Sequence, residues 1–267
     1  EIMADMRVKG VVPDVWSYTA LIDGLSKIGK YEEEEEGEMA VTEKAEYFFD
    51  QMRSDGIEPT PATYNALMNV YAKNGDIQTR HVEIERIISQ MPHPNVRSYA
   101  ILIEALSKSS LPHAADRACE IVQSLENATT TTTGGGGGTR PTVHVYTSLI
   151  NTIGRSNDPR KAERAATVLN DMPVPPNIYT YNAVLNACAY TVGTPEDLDD
   201  AFRVACRTFD ALRRSSGVTA NHVTYGTFLK VCARLILPVN ASLRKTIVSA
   251  VFKKACVDGM VGELVLR

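Results

Sequence analysis

Val15-Trp16-Ser17-Tyr18-Thr19-Ala20-Leu21-Ile22-Asp23-Gly24-Leu25 places apolar residues three, four and seven positions after its tyrosine, and the chain repeats this arrangement five more times. The later copies open at Tyr64, Tyr99, Tyr146, Tyr181 and Tyr225. Their apolar sets are Leu67, Met68, Tyr71; Leu102, Ile103, Leu106; Leu149, Ile150, Ile153; Val184, Leu185, Cys188; and Phe228, Leu229, Cys232. That spacing is one face of an α-helix. Five residues before each tyrosine stands a proline, Pro13, Pro59, Pro94, Pro141 and Pro176, with Ala220 in the last copy. A proline there ends one helix and precedes the next.

The tyrosines lie 46, 35, 47, 35 and 44 residues apart, so the unit is near 35 and three copies carry insertions. The first holds the acidic run Glu32 to Glu38, the third Thr129 to Thr133 and Gly134 to Gly138, the fifth Val192-Gly193-Thr194-Pro195. Such tracts cannot bury a core and read as solvated loops. A second apolar stretch follows the first by one helix length: Ala45 to Met52, Ala118 to Leu125, Ala165 to Met172 and Ala205 to Leu212. Each unit is therefore a helical hairpin. One hairpin cannot bury its apolar faces alone, so consecutive units must stack into an all-α solenoid.

These units resemble P-type pentatricopeptide repeats. The stretches nearest to that pattern are Val15 to Gly29, Thr63-Tyr64-Asn65-Ala66-Leu67-Met68 through Gly75, and Asn177-Ile178-Tyr179-Thr180-Tyr181-Asn182-Ala183-Val184-Leu185, with Gly56-Ile57-Glu58-Pro59 before the second. The resemblance runs from about Met6 to about Met260. It implies a superhelix of about six stacked helix-turn-helix repeats. Residues 1–14 end a preceding repeat; the repeats then cover 15–60 (acidic insertion 31–44), 61–95, 96–142 (Thr/Gly-rich loop 129–140), 143–177, 178–221 (insertion 191–200) and a degenerate 222–267 with C-terminal capping helices.

The functional expectation lies one residue past each tyrosine. A step of one residue turns about 100° around the helix, off the packing face and onto the surface shared by all first helices. Thr19, Asn65, Ala100, Thr147, Asn182 and Gly226 stand there. The resemblance implies that this residue and the last of the repeat, Thr60, Asn95, Thr142, Asn177 or Asn221, together read one base of single-stranded RNA. It assigns a pyrimidine to Asn65 with Asn95 and to Asn182 with Asn221, and adenine to Thr147 with Asn177; Thr19 with Thr60 and Ala100 with Thr142 depart from the common pairs. Short hydroxyl and amide side chains can address a Watson–Crick edge. The same residue types before a helix also serve as N-caps. Two residues before each tyrosine, Trp16, Ala62, Arg97, His144, Tyr179 and Val223 are implied to sandwich the bases.

Composition sets limits on this. Net charge is -4, and +2 without the six glutamates of the acidic run, a body compatible with an RNA groove without announcing one. Cys119, Cys188, Cys206, Cys232 and Cys256 form no Cys-x-x-Cys and read as small hydrophobes. No run of about 18 apolar residues spans a membrane. His81-Val82-Glu83 lacks the cysteine half of a deaminase zinc site. Glu196, Asp197, Asp199 and Asp200 read as a helix first turn rather than a magnesium site, and Gly134 to Gly138 lack the lysine of a phosphate loop. The start at Glu1 and the end at Arg267, within a helix-like stretch 262–267, read as a fragment of a longer protein.

The expectation is a sequence-selective RNA-binding adaptor of a mitochondrion or chloroplast, the organelle being implied by the family. It acts in transcript processing, stabilisation or translation, without catalysis, cofactor, metal or small-molecule substrate. Organellar RNA-processing or ribosomal proteins are its further partners. The alternative is a protein-binding α-solenoid scaffold with a degenerate RNA groove.

Overall fold

The computed structural model describes residues 3, 6, 8–27, 39–109, 111–131, 140–236 and 241–261, with the backbone alone for 128–131. It is an all-α helical-repeat solenoid, with no strand among the described residues. The helices are α1 Val15–Leu25, α2 Val41–Ser54, α3 Pro61–Asn74, α4 Arg80–Gln90, α5 Val96–Lys108, α6 Ala114–Thr131, α7 Val143–Arg155, α8 Lys161–Asp171, α9 Ile178–Ala189, α10 Pro195–Arg214, α11 His222–Leu235 and α12 Ala241–Val257. The chain forms two compact units, Glu1–Leu111 with Gly136–Thr139, and Pro112–Gly135 with Arg140–Arg267.

Each first helix begins where the sequence supplies its own cap. Asp14, Thr60, Asn95, Asn177 and Asn221 adopt extended backbone, and each side chain accepts from the backbone N–H three residues on, at Ser17, Thr63, Ser98, Thr180 and Thr224. The hydroxyl of that third residue accepts in return from the cap N–H, so two orphan donors are satisfied at once. Thr142, before α7, makes no side-chain cap bond.

In the first unit α1, α3 and α5 pack in succession; α2 lies against α1 and α3, and α4 against α3 and α5. In the second unit α7, α9 and α11 pack in succession, α6 lies on α7, α8 on α7 and α9, α10 on α8, α9 and α11, and α12 on α11. The apolar residues at three, four and seven past each tyrosine form the core, all buried except the half-buried Leu21 and Leu229. Ala45, Phe49, Met52, Ala165, Leu169, Ala205, Phe209 and Leu212 meet them from the second helices.

The tyrosines also clasp hairpins. The Tyr18 hydroxyl donates to Asp55 at 2.6 Å, just past α2, and the Tyr64 hydroxyl to the Gln90 carbonyl at the end of α4. Tyr225 donates to Asp258 beyond α12, and Tyr146 to Glu126 of α6 at 2.5 Å. Two buried cations close the other end. Arg80 Nη1 donates to Ala72 O at 2.8 Å and Lys161 Nζ to Ser156 O at 3.0 Å, each from the start of a second helix to the end of the first. These carbonyls lack an intrahelical donor.

Several expectations change. Residues 41–44, 129–131 and 195–200, assigned to insertions, are helical. Val41 and Ala45 carry the apolar face of α2 backwards, and Thr194 forms a capping box with Asp197 that starts α10 early. Tyr99 is only half-buried. Its helix, α5, is the last of its unit, so no later helix of that unit covers the ring. The acidic run 32–38, the glycines 134–138 and residues 262–267 lie outside the described residues.

Candidate nucleic-acid interface

The residue after the tyrosine meets the cap of the next hairpin. Thr19 Oγ1 lies 2.8 Å from Thr63 Oγ1, itself 3.1 Å from Thr60 Oγ1. Ser98 Oγ donates to Asn65 Oδ1 at 2.8 Å and sits 3.3 Å from Asn95 Oδ1. Thr147 Oγ1 is 2.9 Å from Thr180 Oγ1, which donates to Asn177 Oδ1 at 3.0 Å. In the fifth copy the contact is direct: Asn182 Nδ2 donates to Asn221 Oδ1 at 3.5 Å. Four of the expected base-reading pairs are thus brought together, three of them through the hydroxyl of the capping box. The fold does this because successive first helices pack side by side, with the start of the later one beside the fifth residue of the earlier.

The geometry also restricts these groups. Asn65 is only 5% exposed and its acceptor is taken by Ser98. Thr147 donates to Val143 O at 2.7 Å. Asn182 Oδ1 is enclosed without a hydrogen-bond partner. Asn177 commits only its oxygen, to Thr180 N and Oγ1. Ala100 and Gly226 are buried and offer no polar side chain; Thr142 is exposed.

The implied sandwich residues are the second residues of α1, α3, α5, α7, α9 and α11. Trp16 is 79% and Tyr179 72% exposed. Ala62, Arg97 and His144 are exposed and Val223 half-buried. A helix start leaves its first turn without neighbours from the preceding turn, so large aromatic surface stays open there.

A further pattern emerges at the other end of these helices. Nine residues after the tyrosine stand Lys27, Lys73, Lys108, Arg155 and Arg234, all exposed, with Tyr190 in the fifth copy. Tyr190 is supplied with charge by its neighbour: Lys230 Nζ donates to its hydroxyl at 2.9 Å, and Arg234 lies 5.0 Å from its ring centre. The Lys230 ammonium draws the Tyr190 hydroxyl below its ordinary pKa. This register was present in the sequence, but a C-terminal cation also suits the helix dipole, and only the side-by-side packing of first helices within each unit separates the two roles.

The remaining candidates are structural. Asp199 and Asp200 pair with Arg203, and Asp197 caps α10. Among the described residues no group of three His, Cys, Asp or Glu could hold a metal ion. Cys188 and Cys232 are buried, and burial pushes both thiols up to about 12. No described helix is long and apolar enough to cross a membrane.

Stacked helical hairpins whose first helices repeat the same tyrosine-led face define a helical-repeat protein. The family model for the pentatricopeptide repeat domain matches residues 1–74 and 137–191. A pentatricopeptide repeat-containing protein of Arabidopsis thaliana is 28% identical over 106 residues, 40% of this chain and 13% of that protein. The crystal structure of a cysteine-to-serine variant of the pentatricopeptide repeat protein PPR10 in complex with an 18-nt psaJ RNA element superposes over 99% of this chain and 33% of its own, with TM-score 0.66 and 20% identity. The PPR10 structure from maize gives 0.48 at 19% identity, over 100% of this chain and 37% of that one. This chain carries pentatricopeptide repeats over residues 1–74 and 137–191, and it spans about a third of the PPR10 chain.

Proposed function

We propose that the surface of the first helices binds single-stranded RNA, one base per repeat, and that the chain acts as a sequence-selective adaptor in transcript processing, stabilisation or translation within a mitochondrion or chloroplast. The observation that carries this reading is the meeting of Thr19 with Thr63 and Thr60, Asn65 with Ser98 and Asn95, Thr147 with Thr180 and Asn177, and Asn182 with Asn221. Each group joins two consecutive first helices at the register one residue past the tyrosine. Trp16 and Tyr179 offer rings for base stacking, worth roughly 1–3 kcal/mol each, and the cations nine residues past the other five tyrosines, with Tyr190 flanked by Lys230 and Arg234 in the fifth copy, suit the phosphates. Binding rather than catalysis is the activity.

A protein-binding scaffold is the second reading, favoured by the enclosure of Asn65. Asn177 separates the two. Its oxygen caps α9, which leaves the amide N–H groups to face a base. Asn177→Asp keeps the cap oxygen and exchanges the donor for an acceptor. Selection from randomised RNA with both proteins is expected to show one position moving from adenine to guanine, by roughly 1–3 kcal/mol on the scale of base-edge contacts. Unchanged base preference would reduce Asn177 to a cap. Failure of the unmodified protein to enrich any RNA would favour the scaffold.

A further inference from the structure

Ten lysines and arginines but a single acid, Asp210, fall between residues 201 and 257 of a chain whose net charge is -4. These residues build most of α10 and all of α11 and α12. Both α10 and α12 pack on α11. Their C-terminal ends lie together: the Asp258 carboxyl, held low first by Lys254 and then by the Tyr225 hydroxyl, is also within electrostatic reach of Arg213.

Some of this charge is already neutralised. Arg203 pairs with Asp199 and Asp200, and Lys254 with Asp258. Lys230 and Arg234 engage Tyr190 on the first-helix side. Arg207 and Arg214 on α10, with Lys245 and Lys253 on α12, are exposed and have no hydrogen bond or ion pair among the described residues. Arg207 and Arg214 are two helical turns apart, roughly 10 Å along one face, and Lys245 and Lys253 roughly 12 Å. Asp210, three residues after Arg207 and four before Arg214, is the one acid of this stretch, and it forms no ion pair with either among the described residues.

The chemistry of the surface narrows its ligand. Among the described residues no aromatic ring is exposed on α10 or α12, so splayed bases have no stacking platform. The large apolar side chains open there are Leu243 and Val257, too few to anchor a protein interface. Ile247, Val248, Val251 and Phe252 of α12 are half-buried and do not form a free apolar face for a lipid surface. What remains is a set of exposed cations with no partner among the described residues, which suits a run of phosphates.

We propose that the outer faces of α10 and α12 form a second nucleic-acid surface, distinct from the first-helix register, that binds the phosphate backbone of duplex RNA without reading its sequence. A folded RNA could then present its single-stranded segment to the first helices and a flanking stem to this face.

The test is fluorescence anisotropy with a blunt RNA duplex of about 20 base pairs, longer than the roughly 16 base pairs a compact duplex reader spans, and separately with single-stranded RNA, over a salt series. The protein is expected to bind the duplex with an affinity that falls as salt rises. The combined variant Arg207→Glu, Arg214→Glu, Lys245→Glu, Lys253→Glu is expected to lose at least roughly 10-fold in duplex affinity and to show a shallower salt slope, while single-strand binding persists. Trp16→Ala with Tyr179→Ala is expected to do the reverse, which keeps failure of the groove separate from failure of this face. The four glutamine counterparts decide the matter if the glutamate variant loses its helical circular dichroism. Duplex affinity equal to that of the unmodified protein in either folded variant overturns the proposal. So does an unmodified protein that ignores the duplex but binds polyglutamate or anionic vesicles through these four residues.

Discussion

Tyr146 and Tyr225 show how one residue type serves both core and clasp. Both rings are buried, and both hydroxyls donate to a carboxylate, Glu126 and Asp258 respectively. Tyr146→Phe keeps the ring and leaves Glu126 without its donor, and a loss of about 1 kcal/mol is expected in chemical denaturation. Burial, then the Asp258 bond, pushes the Tyr225 hydroxyl up to about 12. Between the ordinary phenol value near 10 and that raised value, the unfolded state releases the proton while the folded state keeps it. Stability therefore falls as pH rises through this window and is fully present below it. Thermal melts of Tyr225→Phe against the unmodified protein should show this fall flattened, and an identical profile would assign it elsewhere. The tyrosines were plain in the sequence as helix-face residues. Their carboxylate partners were not, because Tyr18 and Asp55 are 37 residues apart and no local rule pairs them.

Successive first helices approach closely enough at Gly154 to decide what that position tolerates. A Cβ there would lie 3.1 Å from the Ala187 Cβ, across the α7–α9 contact. Gly154→Ala gains about 0.5–1 kcal/mol of helix propensity, and the crowding offsets that gain, so little net change is expected. Gly154→Val adds branches that α9 must move aside for, and a loss of about 1–3 kcal/mol is expected by denaturation. A neutral valine variant would show that the two helices are not in register here. At this scale the sequence was most informative. The apolar face of each helix recurs with the helical period, and Asn95, Asn177 and Asn221 announce the starts they cap. Thr142 looks the same in sequence yet makes no cap bond, and Val145, three residues on, has no hydroxyl to accept from the cap N–H in return.

The whole molecule distributes its charge unevenly, with a cation at the end of most first helices and an unpaired cationic set on α10 and α12. If Lys27, Lys73, Lys108, Arg155, Lys230 and Arg234 supply the single-strand phosphate contacts, log affinity should fall with log salt with a slope no steeper than about 4, at about 0.7 per contact. Titration of a single strand over a potassium chloride series checks this, and a steeper slope would mean that the strand also uses the outer face. The sequence by itself determined the helices, their faces, the hairpin unit and the register of candidate base-reading residues, because each rests on interactions within about one helical turn. Only the tertiary structure decided which of those side chains are still free to meet a base. Asn65 and Thr147 engage hydroxyls 33 residues further along the chain, and Thr19 one 44 residues away. A donor or acceptor committed across two packed helices leaves no periodic trace in the chain that carries it.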